Sequence, residues 1–177
     1  MMMAMIDRTC RKWFCAALVI ASSAALGPAG AEQGYRTYRN ERFGVSADVP
    51  SDWQAGREPD NNDGLVFTSP DGAATITVSG ILNADDTAAG AVIADELRAQ
   101  DGESVTYRSK GPRQAVMSGT RGVLIFYRKT MLSCKGQVIN HLVIEYLAAQ
   151  KQAFDALVTH VAASMRTSPG AQIPNCR

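Results

Sequence analysis

Apolar and polar positions alternate from residue 43 to residue 49. Phe43, Val45, Ala47 and Val49 interleave with Gly44, Ser46 and Asp48. A period of two marks a half-buried strand, and Pro50 stops it. Ahead of it lies a polar lead-in, residues 32–40, where Tyr35 and Tyr38 fit an edge strand. Behind it, Trp53 stands in a turn-rich stretch, placed to anchor that loop to the core. Asp60-Asn61-Asn62-Asp63-Gly64 is a turn signal before a strand over 65–68. Ser69-Pro70-Asp71-Gly72 is a second, leading to a strand over 73–80, so the pair reads as a β-hairpin. Asp85, Asp86 or Thr87 can then cap a helix running to about residue 100, with Ala89, Ile93 and Leu97 on one face. Asp101-Gly102 ends it.

Three further strands are expected over 105–110, 114–118 and 122–129, with residues 131–136 turning the chain. Residues 137–146 form the longest β-rich run. It is apolar on both faces, as a central strand covered on both sides would be. The last element is a helix over 150–166. Phe154, Leu157, Val158, Val161 and Met165 make one apolar stripe at helical spacing, with Lys151, Asp155 and Arg166 off it. Residues 167–177, with Pro169 and Pro174, read as an extended tail. Local hairpins with two helices imply α+β: a mostly antiparallel sheet of about six strands with helices packed on it.

The N-terminus follows a different pattern. Arg8, Arg11 and Lys12 are followed by 14 uncharged, mainly apolar residues from Trp13 to Leu26. Gly27-Pro28 breaks the run, and Ala29-Gly30-Ala31 offers small residues for cleavage. These are the parts of a secretory signal peptide over 1–31, cleaved after Ala31. The run is short of the ~20 residues a membrane helix needs. Which of Met1, Met2, Met3 and Met5 starts the chain is open. The expected organisation is a single α+β domain over 32–167 and a tail over 168–177. A periplasmic or secreted location follows, with no stable membrane span in the mature chain.

Cleavage changes the composition. Of 4 Cys, it leaves Cys134 and Cys176, which in an oxidising compartment are expected to pair and pin the tail. The formal charge of the 177-residue chain is +1, whereas residues 32–177 hold 15 basic and 16 acidic residues. No basic excess supports nucleic-acid binding. The near-neutrality conceals two blocks. Residues 48–103 hold 12 acidic and 2 basic residues; residues 104–135 hold 7 basic and no acidic ones. Those seven are Arg108, Lys110, Arg113, Arg121, Arg128, Lys129 and Lys135. Either they form a basic edge facing an anionic partner, or the two blocks neutralise each other by cross-strand pairs.

Catalytic motifs are sparse. His141 and His160 are the only histidines. His141 and Glu145 share a strand face but stand about 13 Å apart along it. His160 lies at the flank of the helix stripe. No Walker loop, GxGxxG, HExxH or GxSxG stands in the chain. The 60–64 run lacks the EF-hand spacing, so a turn is the better account. Asp52 with Glu58, or Asp85 with Asp86, could be proposed as an acid pair for sugar cleavage, but both pairs fall in turn or cap contexts. Neither a cofactor nor a metal is expected.

The run Tyr38-Arg39-Asn40-Glu41-Arg42-Phe43-Gly44-Val45, followed by Val49-Pro50-Ser51-Asp52-Trp53, resembles the opening of PsbP-like domains. Residues 63–72 are similar to the hairpin that follows there, as are Glu145-Tyr146 before the last helix and Ser164-Met165-Arg166 closing it. The resemblance covers roughly residues 35–167 and extends to secreted alpha-proteobacterial proteins sharing this α/β/α sandwich. The family's photosynthetic members bind a photosystem and its MOG-type members a small GTPase; neither activity has a matching residue here. The resemblance implies a non-enzymatic binding or assembly role, with an envelope protein or an anionic envelope component as partner. The alternatives are a small hydrolase using His141 or His160, and a small-ligand carrier with a cleft between sheet and helix.

Overall fold

The computed structural model describes residues 34–170 together with 173 and 176. The expected leader over 1–31 and its expected cleavage site lie outside the described residues. Among the described residues ten strands and two α-helices follow in order: β1 (Tyr35–Arg39), β2 (Val45–Pro50), β3 (Gln54–Ala55), β4 (Gly64–Thr68), β5 (Ala74–Leu82), α1 (Ala89–Glu96), β6 (Glu103–Lys110), β7 (Gln114–Arg121), β8 (Leu124–Ser133), β9 (Val138–Leu147), α2 (Lys151–Ser164) and β10 (Arg166–Thr167). Seven strands form the main sheet in the order β3-β4-β5-β9-β8-β7-β6; β1, β2 and β10 form a second, small sheet. Every pairing is antiparallel. The architecture is α+β, as expected, with the small sheet as an added layer.

Strand alternation decides what each face of the main sheet does. Ala74, Ile76 and Val78 of β5 lie opposite Tyr146, Ile144 and Leu142 of β9. All six are buried, packed with Val45, Ala47 and Val49 of β2 and with Leu157, Val161 and Met165 of α2. The intervening residues, Thr75, Thr77 and Ser79 against Glu145, Val143 and His141, are only half-buried. So α2 and the small sheet cover one face. The 65–80 hairpin closes as its turn residues predict. Ser69 Oγ donates to Asp71, Ala74 N–H to Ser69 Oγ, and Gly72 takes a positive φ of 72°. Trp53 is buried edge-on against Phe154 of α2, which fastens the β2–β4 connection.

The other face is covered in part. Val92 and Ile93 of α1 pack on Ala115, Leu132 and Ile139. The helix stops at Glu96, short of the expected residue 100. Gln100 N–H, which would extend it, is bound by the Glu103 carboxylate at 2.8 Å, and the chain turns at Gly102 with φ 77°. Its start also differs: Ala88 holds the N-cap without a side-chain bond. Asn83 instead brackets Thr87, accepting its N–H and donating to its carbonyl. A helix of 8 residues is too short to span the sheet. The central strand β9 is thus open over Val143 and Glu145, where two-sided cover was expected. β8 runs on to Ser133, beyond the expected 129, because Met131 and Leu132 pair with Asn140 and Ile139. The turn itself is only Cys134–Gly136.

After β10 the chain passes beside the start of β2. Ser168 N–H donates to Gly44 carbonyl, and Cys134 and Cys176 stand at disulfide distance, Cα–Cα 4.5 Å. Gly80 marks the tightest interlayer contact on the buried face. A Cβ there would stand 2.5 Å from Phe43 Cβ and 2.7 Å from its ring, and Phe43 is 1 % exposed. Gly80→Ala is expected to lower unfolding stability by about 1–3 kcal/mol through overpacking, read from urea midpoints at unchanged m-value.

Candidate functional site

The half of the sheet that α1 leaves bare holds a cleft of about 420 Å³. Its floor is Ser79 of β5, His141 and Val143 of β9 and Arg128 of β8; its wall is Asp95, Glu96 and the residues 98–100. His141 Nε2 lies 3.1 Å from Glu96 Oε1, and Thr130 Oγ1 donates to Glu96 Oε2 at 2.8 Å. His141 and Thr130 are themselves cross-strand partners, so one carboxylate of α1 is held by two adjacent strands. Burial pushes the Glu96 pKa up. His141, Thr130 and Arg128 together outweigh it and hold the carboxyl below its ordinary value.

A second pair stands beside the first. Arg128 meets Glu103 through two parallel bonds, Nη1 to Oε1 at 2.7 Å and Nη2 to Oε2 at 3.0 Å. The Glu103 side chain is 1 % exposed and Arg128 is 15 % exposed, with the guanidinium 4.9 Å from the Phe126 ring centre. A fork-to-fork pair this buried holds β6 and the α1–β6 loop in register. Removing either partner would strand the other charge. Ser79 stands across from His141 in the β5–β9 register, but no hydrogen bond joins them among the described residues.

The seven basic residues of 104–135 do not form one patch. Arg128 pairs with Glu103, and Arg121 with Glu145. Arg108 donates to the Leu97 carbonyl at 3.1 Å. Lys129 points to the opposite face and donates to the Ala162 carbonyl near the end of α2, where a cation also suits the helix dipole. Lys110, Arg113 and Lys135 meet no carboxylate within ion-pair distance among the described residues. The β6–β7 and β8–β9 turns gather these three at one end of the sheet. Of the acidic block, then, Glu103 forms an ion pair with this segment.

His160 lies outside the cleft. It is stacked on Tyr35 at 3.9 Å and its Nε2 is 3.0 Å from Asp48 of β2, whose other oxygen accepts Thr37 Oγ1. It ties α2 to the small sheet. Asp52, Glu58, Asp85 and Asp86 are exposed. Asp63, from the 60–64 turn, is bound by Arg42 at 2.7 Å. The residue the sequence left unmarked is Glu96. It sits 45 residues from His141, on the edge of an apolar helix face, with no local motif around it.

These features define an α+β sandwich of the PsbP/Mog1-like fold. No protein-family model matches the chain, and no curated protein matches it. The solution structure of cyanobacterial PsbP from Synechocystis superposes with a TM-score of 0.55 at 11 % identity, covering 82 % of this chain and 99 % of that one. The Ran-binding protein Mog1p of Saccharomyces cerevisiae does so at 0.52 and 8 % identity, over 77 % and 96 %. LpqN, involved in cell envelope biogenesis of Mycobacterium tuberculosis, does so at 0.52 and 15 % identity, over 78 % and 92 %.

The Glu96 network gives a signed pH dependence. Its folded pKa lies below the unfolded value, so its contribution is complete above about pH 4.5 and is lost as pH falls through the folded value. Glu96→Gln is expected to cost about 1–3 kcal/mol near neutral pH. The gap to the parent chain should narrow as pH drops below the ordinary glutamate value, in parallel denaturant series. A gap constant down to acid-induced unfolding overturns the assignment.

Proposed function

We propose that residues 1–31 export the chain and that the domain over 32–167 works in the periplasm or beyond, binding a partner instead of turning over a substrate. Residues 168–177 act as a tail pinned by the Cys134–Cys176 bridge. A positive segment, a short apolar run and a small-residue cleavage site support export. So does disulfide spacing between the two cysteines that cleavage would leave. The binding reading is carried by one observation: the ionisable groups of the cleft floor, His141 and Arg128, are each taken up by a carboxylate. Glu96 is tied to His141 and Thr130, and Arg128 to Glu103. What remains open is Ser79, Val143 and the bare strand face beside them, a surface for contact. The fold neighbours agree with that class, since Mog1p is described as Ran-binding and LpqN as an envelope biogenesis protein. An envelope protein or an anionic envelope component is the partner this reading calls for.

A second reading has its own observation. Ser79, His141 and Glu96 stand in the order hydroxyl, imidazole, carboxylate, which is the order of a hydrolytic triad. The carboxylate occupies Nε2, so the hydroxyl would have to reach Nδ1. A ligand of small size seated in the same cleft, as a carrier would hold it, needs no such rearrangement.

Cell fractionation with N-terminal sequencing tests export: the expected species is periplasmic or secreted and begins at Glu32. Recovery of uncleaved chain in the cytoplasm overturns it. Panels of chromogenic esters, phosphate esters and glycosides test catalysis. No turnover that Ser79→Ala or His141→Gln abolishes is expected; a burst dependent on both residues would establish the hydrolase instead.

A further inference from the structure

We propose that the end of the main sheet carrying the β6–β7 and β8–β9 turns is a binding site for a phosphoryl group, held between Arg113 and Lys135. The site is separate from the cleft, so its failure would leave the reading of the cleft untouched. Both side chains line one pocket of about 290 Å³, together with Ser133 and Thr167. The other arginines and lysines of residues 34–170, Lys110 apart, have a carboxylate or carbonyl partner. Lys110 closes the same end of the sheet, at the last pairing of β6 with β7. Among the described residues the unpaired cations thus converge where the pairing of β7 with β8 brings two turns together, and residues 104–135 contribute no acid to offset them.

The pocket is also held in place. Leu132 N–H donates to the Arg113 carbonyl at 2.9 Å and couples the two turns. Cys134 is bridged to Cys176, which forms part of the wall. Lys135 itself has φ 58° and ψ 23°, the left-handed region that Gly or Asn occupies at less cost. Cys134 before it and Gly136 after it also take positive φ, so the tight β8–β9 turn fixes the Lys135 backbone at the pocket's rim. The donor set favours a tetrahedral anion. Arg113 offers a planar fork and Lys135 a point charge. Ser133 Oγ already accepts the Asn140 amide, which leaves its own proton to donate outward. Asp86 faces Lys135 across a smaller hollow of about 160 Å³ without forming an ion pair, and moderates the site.

The phosphoryl group could come from a soluble phosphomonoester or from a lipid headgroup, and one experiment separates them. The full chain with its bridge formed is titrated with inorganic phosphate and glycerophosphate by NMR. It is also co-sedimented with phosphatidylcholine vesicles with and without phosphatidylglycerol. Shifts confined to residues 111–114, 133–136 and 167–169 support the site with a soluble ligand. Binding confined to the phosphatidylglycerol vesicles supports it with a lipid source. Arg113→Gln and Lys135→Asn should each weaken binding about tenfold, while Asp86→Asn tightens it. Asn is at ease in the left-handed region, so Lys135→Asn should keep or raise the melting temperature while binding falls. Shifts spread over the cations generally, or affinity unchanged in both charge-removing variants, overturn the proposal.

Discussion

The pairing of β5 with β9 is the constraint on which the rest depends. It runs from Ala74–Tyr146 to Leu82–Val138, and its register sorts side chains onto two faces. One face presents Ile76, Val78, Leu142 and Ile144, each fully buried. It therefore recruits α2 and the small sheet, whose apolar stripes pack against it. A slip of β5 by one residue on β9 would put Thr77 and Ser79 where Ile76 and Val78 now face the core. The same register brings His141 to Ser79 on the open face, so the cleft floor and the core are consequences of one ladder.

Hydrogen-bonded charges then decide how much of the open face is closed. Isolated surface pairs contribute little. Arg128–Glu103 differs, because its carboxylate is 1 % exposed and its geometry is bidentate. Glu103 also takes the Gln100 N–H, which ends the approach from α1. A single glutamate thus couples the start of β6 to the point where the helix can no longer continue. The short helix leaves the cleft open. Glu96, at the helix's last turn, is held by Thr130 and His141 and lines the cleft wall.

What could be read in advance follows from the range of the signals. The 65–80 hairpin was legible because Ser69, Asp71 and Gly72 bond within a few residues. The stripe on α2 was legible because its spacing is local. So was the pairing of Cys134 with Cys176, since residues 32–177 hold no other cysteines. The small sheet was not, because β10 has two residues and gains its identity from pairing with Ser46 and Val45 of β2. The extension of β8 to Ser133 was hidden for the same reason: Asn140, on the partner strand, satisfies the Met131 carbonyl and Ser133. The candidate site was legible by residue type alone. His141 and the basic run stood out, but Glu96 is defined by a contact made 45 residues away.

The two charge blocks show why composition alone could not separate a basic face from internal neutralisation. Internal neutralisation is seen in part, at Arg128 with Glu103. Arg121, Arg128 and Lys129 serve the fold, bound to Glu145, Glu103 and the end of α2. Reversing their charge would disturb packing before it reported on any ligand. The cations left over are at the turns, where antiparallel strands must reverse and cross-strand neighbours run out. Turn positions are thus where unpaired charge can persist at little cost in stability, and where a near-neutral chain can still carry a local positive field. The near-zero net charge therefore argues against binding a long polyanion along the whole surface. It leaves room for one small anion at one end of the sheet.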